Sequence, residues 1–275
     1  MQTVISGYRS GYKLAYVESG EKNGTTPIVF VHGNSNSKEV FEKQLRSDLS
    51  KKYRLIALDL PGHGESEFVP DAKENKSVYT LPFYAKCISE FIYALGIPSP
   101  IVVGHSLGGH IATLASTYIP FRGLMSFQAP PLETHEDLNK GFNPVPGLGS
   151  LFRDKIEEAD FNALMKVLFP SGDVPEFVSK AFRNTDPLCR KNVAESLTPD
   201  YRINEVTNLN KLKNRVCIPF AEKDGLINGQ YLRSIHLPYL WKNGIISFPK
   251  AGHYLQLEES AAFNALLDEF AQSLE

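Results

Sequence analysis

The stretch Ile101-Val102-Val103-Gly104-His105-Ser106-Leu107-Gly108-Gly109-His110 decides the fold. Its first three residues are apolar and β-branched, as in a strand buried on both faces. From 107 to 118 the pattern turns helical. Between them lies Gly-x-Ser-x-Gly, the pattern of a nucleophile elbow. Such a strand-to-helix turn strains the serine backbone and holds its hydroxyl proud of the sheet. Gly104 and Gly108 keep Cβ atoms out of the crowded turn. The new helix aims its N-terminal N–H groups at the same spot, which favours negative charge developing there. Five residues alone match often by chance. The strand before and the helix after supply the context the motif demands.

Working outward, the same rhythm repeats. Residues 3–8 and 13–18 alternate, with Gly11 between them, and predict a hairpin. Residues 27–31 read as a buried strand ending in His32-Gly33-Asn34-Ser35-Asn36-Ser37, and 38–51 as a helix with Ser37 as its cap. A strand over 53–58 runs into the turn-rich Asp59-Leu60-Pro61-Gly62-His63-Gly64-Glu65-Ser66. A helix follows from Thr80 or Leu81 to Leu95, with Pro82 in its first turn and Gly96 past its end. Beyond the elbow, a strand over 123–128 stops at Ala129-Pro130-Pro131. The character then changes: 133–151 is rich in Gly, Pro and Asn, and 151–206 holds short helical patterns with no strong strand. Strands return at 216–220 and 244–248, and a helix over 258–274 closes the chain. Strands alternating with helices predict an α/β fold: a mostly parallel central sheet with helices on both faces. The expected division is a core of 1–131 and 207–275, with a helical cap inserted at 132–206.

With 275 residues the chain buries a large core without disulfide staples. A net charge of −2 gives no basic footprint for nucleic acid. Residues 1–11 lack the charged and apolar regions of a signal peptide, and no apolar run nears the roughly 20 residues of a membrane span. Cys87, Cys189 and Cys217 are odd in number and far apart, which reads as reduced thiols in a cytoplasmic protein. No metal site and no cofactor are expected, and the oligomeric state is read as monomer or homodimer.

A serine hydroxyl needs a base, and the base needs an acid to hold its tautomer. Sites in open α/β sheets form at the carboxyl ends of strands. Of seven histidines, His253 in Lys250-Ala251-Gly252-His253-Tyr254 follows the last strand and precedes the last helix. His32, His63, His110, His135 and His236 sit in less suitable places, and His105 is too close in the chain to turn onto Ser106. For the acid, the loop after 216–220 offers Asp224, with Glu222 as runner-up. The oxyanion donors are the backbone N–H groups of Leu107 and Asn34, with Gly33 permitting the tight turn. Candidate substrate contacts are Gly33, Asn36, His105, Phe142 and Tyr254.

His32-Gly33, Asp59 to Ser66, the elbow, Asp224 and Ala251-Gly252-His253 together resemble the α/β-hydrolase superfamily in order and spacing. The resemblance covers nearly the whole chain outside the cap. It implies a structural role for His63 and its loop. Some members place the acid after the preceding strand, where this chain has Gln128-Ala129-Pro130-Pro131 and no carboxylate before Glu133. Dehalogenase and epoxide hydrolase chemistry would need Asp where Ser106 stands. A narrower resemblance joins His32 to Ser37 with Phe41 and Leu45, Ser106-Leu107-Gly108-Gly109-His110-Ile111, Arg122-Gly123-Leu124-Met125 with Pro130-Pro131, and Leu240-Trp241. These look like the α/β-hydrolase type of N-acyl-homoserine lactonase. The implied activity is hydrolysis of an ester or lactone through an acyl-enzyme. Phe142, Phe152, Phe161, Phe169, Phe177 and Phe182 suggest an apolar acyl chain under the cap. The alternatives are a general carboxylesterase, a C–C bond hydrolase, or a receptor for small lactones with slow turnover.

Overall fold

The computed structural model describes residues 2–7 (backbone only), 11–20, 26–198 and 204–275. Nine strands are described: β1 (Gln2–Gly7), β2 (Lys13–Ser19), β3 (Ile28–Val31), β4 (Leu55–Leu58), β5 (Ile101–His105), β6 (Gly123–Phe127), β7 (Val216–Cys217), β8 (Pro219–Ala221) and β9 (Ile246–Phe248). The main sheet runs β1-β2-β4-β3-β5-β6-β7. β1 and β2 form the expected antiparallel hairpin, with Thr3 opposite Val17, and β2 is antiparallel to β4. Tyr8, the last residue of the expected first strand, lies outside the described residues. From β4 onward every neighbouring pair is parallel. Each residue of β3, β4, β5 and β6 is buried, because helices cover both faces and leave no solvated side.

Three expected elements break where a local competitor wins. The strand over 216–220 splits into β7 on β6 and β8 on β9. Pro219 has no N–H to donate, so the ladder stops there. The helix over 38–51 becomes three single turns, Lys38–Phe41, Glu42–Leu45 and Asp48–Lys51. Lys38 is drawn inward to Asp59, with Nζ 2.8 Å from Oδ2, and Ser47 starts a new turn by accepting from Leu49 N–H. The closing helix is Leu255–Glu258 followed by Ser260–Gln272, separated at Glu259 with φ −119° and ψ 46°. Helix Leu81–Ala94 starts as read, with Thr80 Oγ1 accepting from Phe83 N–H.

Between β6 and β7 the chain leaves the sheet to form a helical cap with helices Asp137–Gly141, Glu158–Leu168, Glu176–Asn184 and Pro187–Ser196. Phe161 and Phe182 pack at 5.2 Å between ring centroids and form its own small core. Arg190, 1% exposed, fastens cap to sheet. Its guanidinium donates to the carbonyls of Arg153 and Phe182 and to Ser35 Oγ in the loop after β3. Asp186 adds a second tie, with its N–H on the Gly62 carbonyl and its carboxylate on the Tyr79 hydroxyl.

Candidate active site

Ser106 sits between β5 and helix Leu107–Ala115 with φ 53° and ψ −123°. A non-glycine residue there stores roughly 1–3 kcal/mol, which the surrounding packing must hold. The packing does so through glycines. A Cβ on Gly104 would lie 2.5 Å from the Gly108 carbonyl oxygen, and one on Gly108 would lie 2.2 Å from that of Val31. The Ser106 N–H donates to the Phe127 carbonyl at 3.0 Å, tying the elbow to β6. The serine side chain lines a cavity and is not hydrogen-bonded to any described residue.

The carboxylate that reaches His253 is Asp224, with Oδ2 2.7 Å from Nδ1. Its other oxygen accepts from the N–H groups of Leu226 and Ile227 at 2.8 and 3.3 Å. Glu222 faces outward to Arg233 and Ser247. With its Nδ1 proton on Asp224, His253 keeps Nε2 for chemistry. The loop around His253 is held from below. Glu258 accepts from the N–H groups of Gly252 and Tyr254, one on each side of His253, and burial pushes its carboxyl above the usual carboxylate range. The His253 N–H donates to the cap, on the Leu168 carbonyl at 3.0 Å.

The N–H groups of Asn34 and Leu107 carry no hydrogen bond to a described residue. The Asn34 side chain ties this loop to the cap, with Nδ2 donating to the Leu151 carbonyl at 2.8 Å. Gly33 packs against the elbow, where a Cβ would come within 3.0 Å of Ser106 Cβ.

Three of the expected substrate contacts sit one layer back. His105 is fully buried, stacked on Phe127 at 5.1 Å, with Nε2 2.9 Å from the His253 carbonyl. Strand alternation turns it away from the cavity, and burial holds it well below the usual histidine range, so it is neutral. Tyr254 stacks on Phe169 at 4.3 Å and shares hydrogen bonds with Asn36, whose amide also donates to the Asn34 carbonyl. Asn36 and Tyr254 therefore brace the Asn34 turn. Phe142 does line the cavity.

The cavity measures about 340 Å³ and is walled by the cap and the elbow. Its surface is largely leucine, including Leu107, Leu132, Leu148 and Leu151, with Phe142 and Phe152 as its aromatics. Phe161, Phe169 and Phe182 are buried inside the cap or behind His253 and do not line it.

Sequence reading missed Gln128. It follows β6 with φ 52°, donates through Nε2 to Asp224 Oδ2, and accepts from Ala221 N–H at 2.9 Å. Its only signal was a polar residue where some relatives carry their acid. His32 and His63 are buried supports: His32 Nε2 accepts from Leu60 N–H at 3.0 Å and His63 Nε2 from Ser35 N–H at 3.3 Å. Burial lowers His32 to about 4 and His63 well below the usual range.

A strained serine at a strand-to-helix elbow, with a histidine–carboxylate pair on loops after later strands, defines a hydrolase of the α/β class. The chain belongs to the α/β hydrolase fold family, which it matches over residues 26–260. In solved structures it is similar to a mutant of the N-acyl homoserine lactonase AidH complexed with N-hexanoyl homoserine lactone. That match has 26% identity and a TM-score of 0.90, and covers 100% of this chain and 98% of that one. A wider fold similarity extends to a crystal structure of the esterase RhEst1 from Rhodococcus sp. ECU1013, at 19% identity and TM-score 0.79 over 100% of both chains. Among curated proteins it is 33% identical over 111 residues to mouse epoxide hydrolase 4, covering 40% of this chain and 29% of that protein. It is also 30% identical over 276 residues to the dihydrolipoyllysine-residue acetyltransferase component of the acetoin cleaving system of Cupriavidus necator, covering 94% and 66%. The aligned part thus spans less than two thirds of either curated relative's length. Among the described residues no helix is long and apolar enough to cross a membrane.

Proposed function

We propose that the protein is a serine hydrolase that opens N-acyl-homoserine lactones through an acyl-enzyme. The observation that carries this reading is the Asp224–His253 pair at 2.7 Å, whose imidazole packs 4.9 Å from the ring of His105, the residue before the strained Ser106 in the cavity wall. The similarity to the homoserine lactonase over the full chain supports the choice of lactone over a simple ester. The cap is placed at 132–206, in keeping with the meeting of its two ends: the Glu205 N–H donates to the Leu132 carbonyl at 2.8 Å.

Ser106 Oγ attacks the lactone carbonyl as His253 Nε2 takes its proton. Asp224 holds the imidazole tautomer and stabilises the imidazolium. The oxyanion lies between the N–H groups of Leu107 and Asn34. Collapse breaks the ring C–O bond, and His253 returns the proton to the leaving alkoxide, which stays tethered to the acyl group. Water activated by His253 then attacks the acyl-enzyme, releasing the N-acyl-homoserine and restoring the Ser106 hydroxyl.

The test is a panel of acyl-homoserine lactones and p-nitrophenyl esters of matched chain length, assayed with wild type and Ser106→Ala. Wild type is expected to turn over repeatedly with a preference for the lactones, and the variant to lose on the order of 10⁴–10⁶ in rate. Ester hydrolysis without lactone opening would move the assignment to a carboxylesterase. A single turnover would make it a lactone receptor.

A further inference from the structure

The cavity wall carries a second histidine–carboxylate pair that the acyl transfer above does not use. His110 lies one turn beyond Ser106 on helix Leu107–Ala115 and lines the cavity beside Phe142, their ring centroids 6.2 Å apart. Its Nδ1 is 2.9 and 3.0 Å from the two oxygens of Glu205, at the start of helix Glu205–Lys211. Glu205 is itself fixed, since its carboxylate also accepts from the Leu132 N–H at 2.9 Å. The two residues are 8% and 5% exposed.

This arrangement sets the polarity of the cavity wall. A carboxylate only accepts, so the Nδ1 of His110 carries the proton. In the neutral ring Nε2 is then an acceptor. The His110 side chain lines the cavity, with Nδ1 committed to Glu205 and Nε2 without a partner among the described residues, so Nε2 is the acceptor that this wall of leucines offers. An unpaired acceptor in an apolar cavity wall rewards a ligand that brings a donor and penalises one that does not.

We propose that His110 Nε2 is the subsite for an N–H donor on the acyl side of the substrate, two bonds from the scissile carbonyl carbon. That position is the amide of an N-acyl-α-amino lactone or ester. The inference rests on Ser106 acting as the acyl-transfer nucleophile. Ser106 caps this helix, its carbonyl accepts from the His110 N–H at 3.4 Å, and both side chains line the one cavity. A nitrogen on the α-carbon is about 2.5 Å from the carbonyl carbon. A carbonyl at Ser106 therefore leaves the amide in the cavity that His110 lines. Glu205 is a positioning residue, which acts by fixing the tautomer.

The experiment uses p-nitrophenyl esters of N-butanoylglycine, which has the N–H, of N-butanoylsarcosine, which has N–CH3 there, and of heptanoic acid, which has CH2. Wild type is expected to favour the glycine ester over both others by about three- to tenfold in kcat/KM, the worth of one hydrogen bond. Glu205→Leu removes the acceptor that holds the proton on Nδ1, so the tautomer is no longer fixed and the preference is expected to fall toward one. His110→Phe is expected to erase the preference as well. Absence of the preference in wild type, its survival in both variants, or an equal loss on all three esters overturns the proposal. These esters contain no lactone ring, so the result stands apart from lactone opening. Hydrolysis that persists in Ser106→Ala would instead fault the underlying acyl-transfer reading.

Discussion

At the scale of single residues, the site is a set of side chains whose freedom has been removed. Ser106 is held at positive φ by glycines that admit no Cβ. Asp224 is committed through both oxygens, to His253 and Gln128 on one side and to Leu226 and Ile227 N–H on the other. Buried acceptors so satisfied hold one orientation. Asp224→Asn is therefore expected to keep the fold, by circular dichroism, and to cut turnover by up to ~10⁴ through the wrong histidine tautomer. Glu222→Gln breaks only a partly exposed pair with Arg233, a kind worth about 0–1 kcal/mol, so its turnover should match wild type. The reverse ranking in a steady-state assay would reassign the acid.

At the scale of elements, the cap divides its aromatic residues between two tasks. Phe142 lines the cavity, whereas Phe161 and Phe182 pack on each other and lie 3% and 1% exposed. Each buried CH₂ of an acyl chain contributes up to ~0.8 kcal/mol if the wall is there to receive it. Phe142→Ala is expected to change the ratio of long- to short-chain rates with a small effect on melting temperature. Phe161→Ala and Phe182→Ala should lower the melting temperature, at a cost of roughly 3–5 kcal/mol, and leave the ratio unchanged. A chain-length series on the three variants separates the outcomes; movement of the ratio by Phe161→Ala would contradict the division.

At the scale of the whole molecule, three neutral histidines are locked in the core: His32, His63 and His105. Burial lowers His32 to about 4 and the other two well below their ordinary 6.5. The unfolded chain binds more protons than the folded one wherever pH lies between the two values. Their contribution is fully present above pH 6.5 and is lost as pH falls toward 4. For His32 alone this is about 1.4 kcal/mol per pH unit, on the order of 3 kcal/mol across the window. Urea titrations from pH 7.5 to 4.5 should show stability falling with acid. His32→Gln, which keeps a donor and an acceptor, should have a shallower slope; equal slopes would mean that His32 titrates in the folded state.

The succession of strands and helices along the chain and the elbow were legible in the sequence because they are local: β-branched runs, helical spacing, and glycines on either side of Ser106. Those patterns depend on backbone sterics and on which face is buried, both of which a short stretch carries within itself. The position of His253 after the last strand was legible for the same reason. What only the tertiary structure decided was contact between distant segments. Whether Asp224 or Glu222 meets His253 depends on how the loop after β8 turns, and Gln128, nearly a hundred residues away, takes part in that turn. His105 reads as a site residue by adjacency, yet strand alternation puts it behind His253. His110 reads as one more helix residue until Glu205, 95 positions on, fixes its proton. A carboxylate's partner is set by desolvation and distance in three dimensions, and neither quantity is written in its neighbours along the chain.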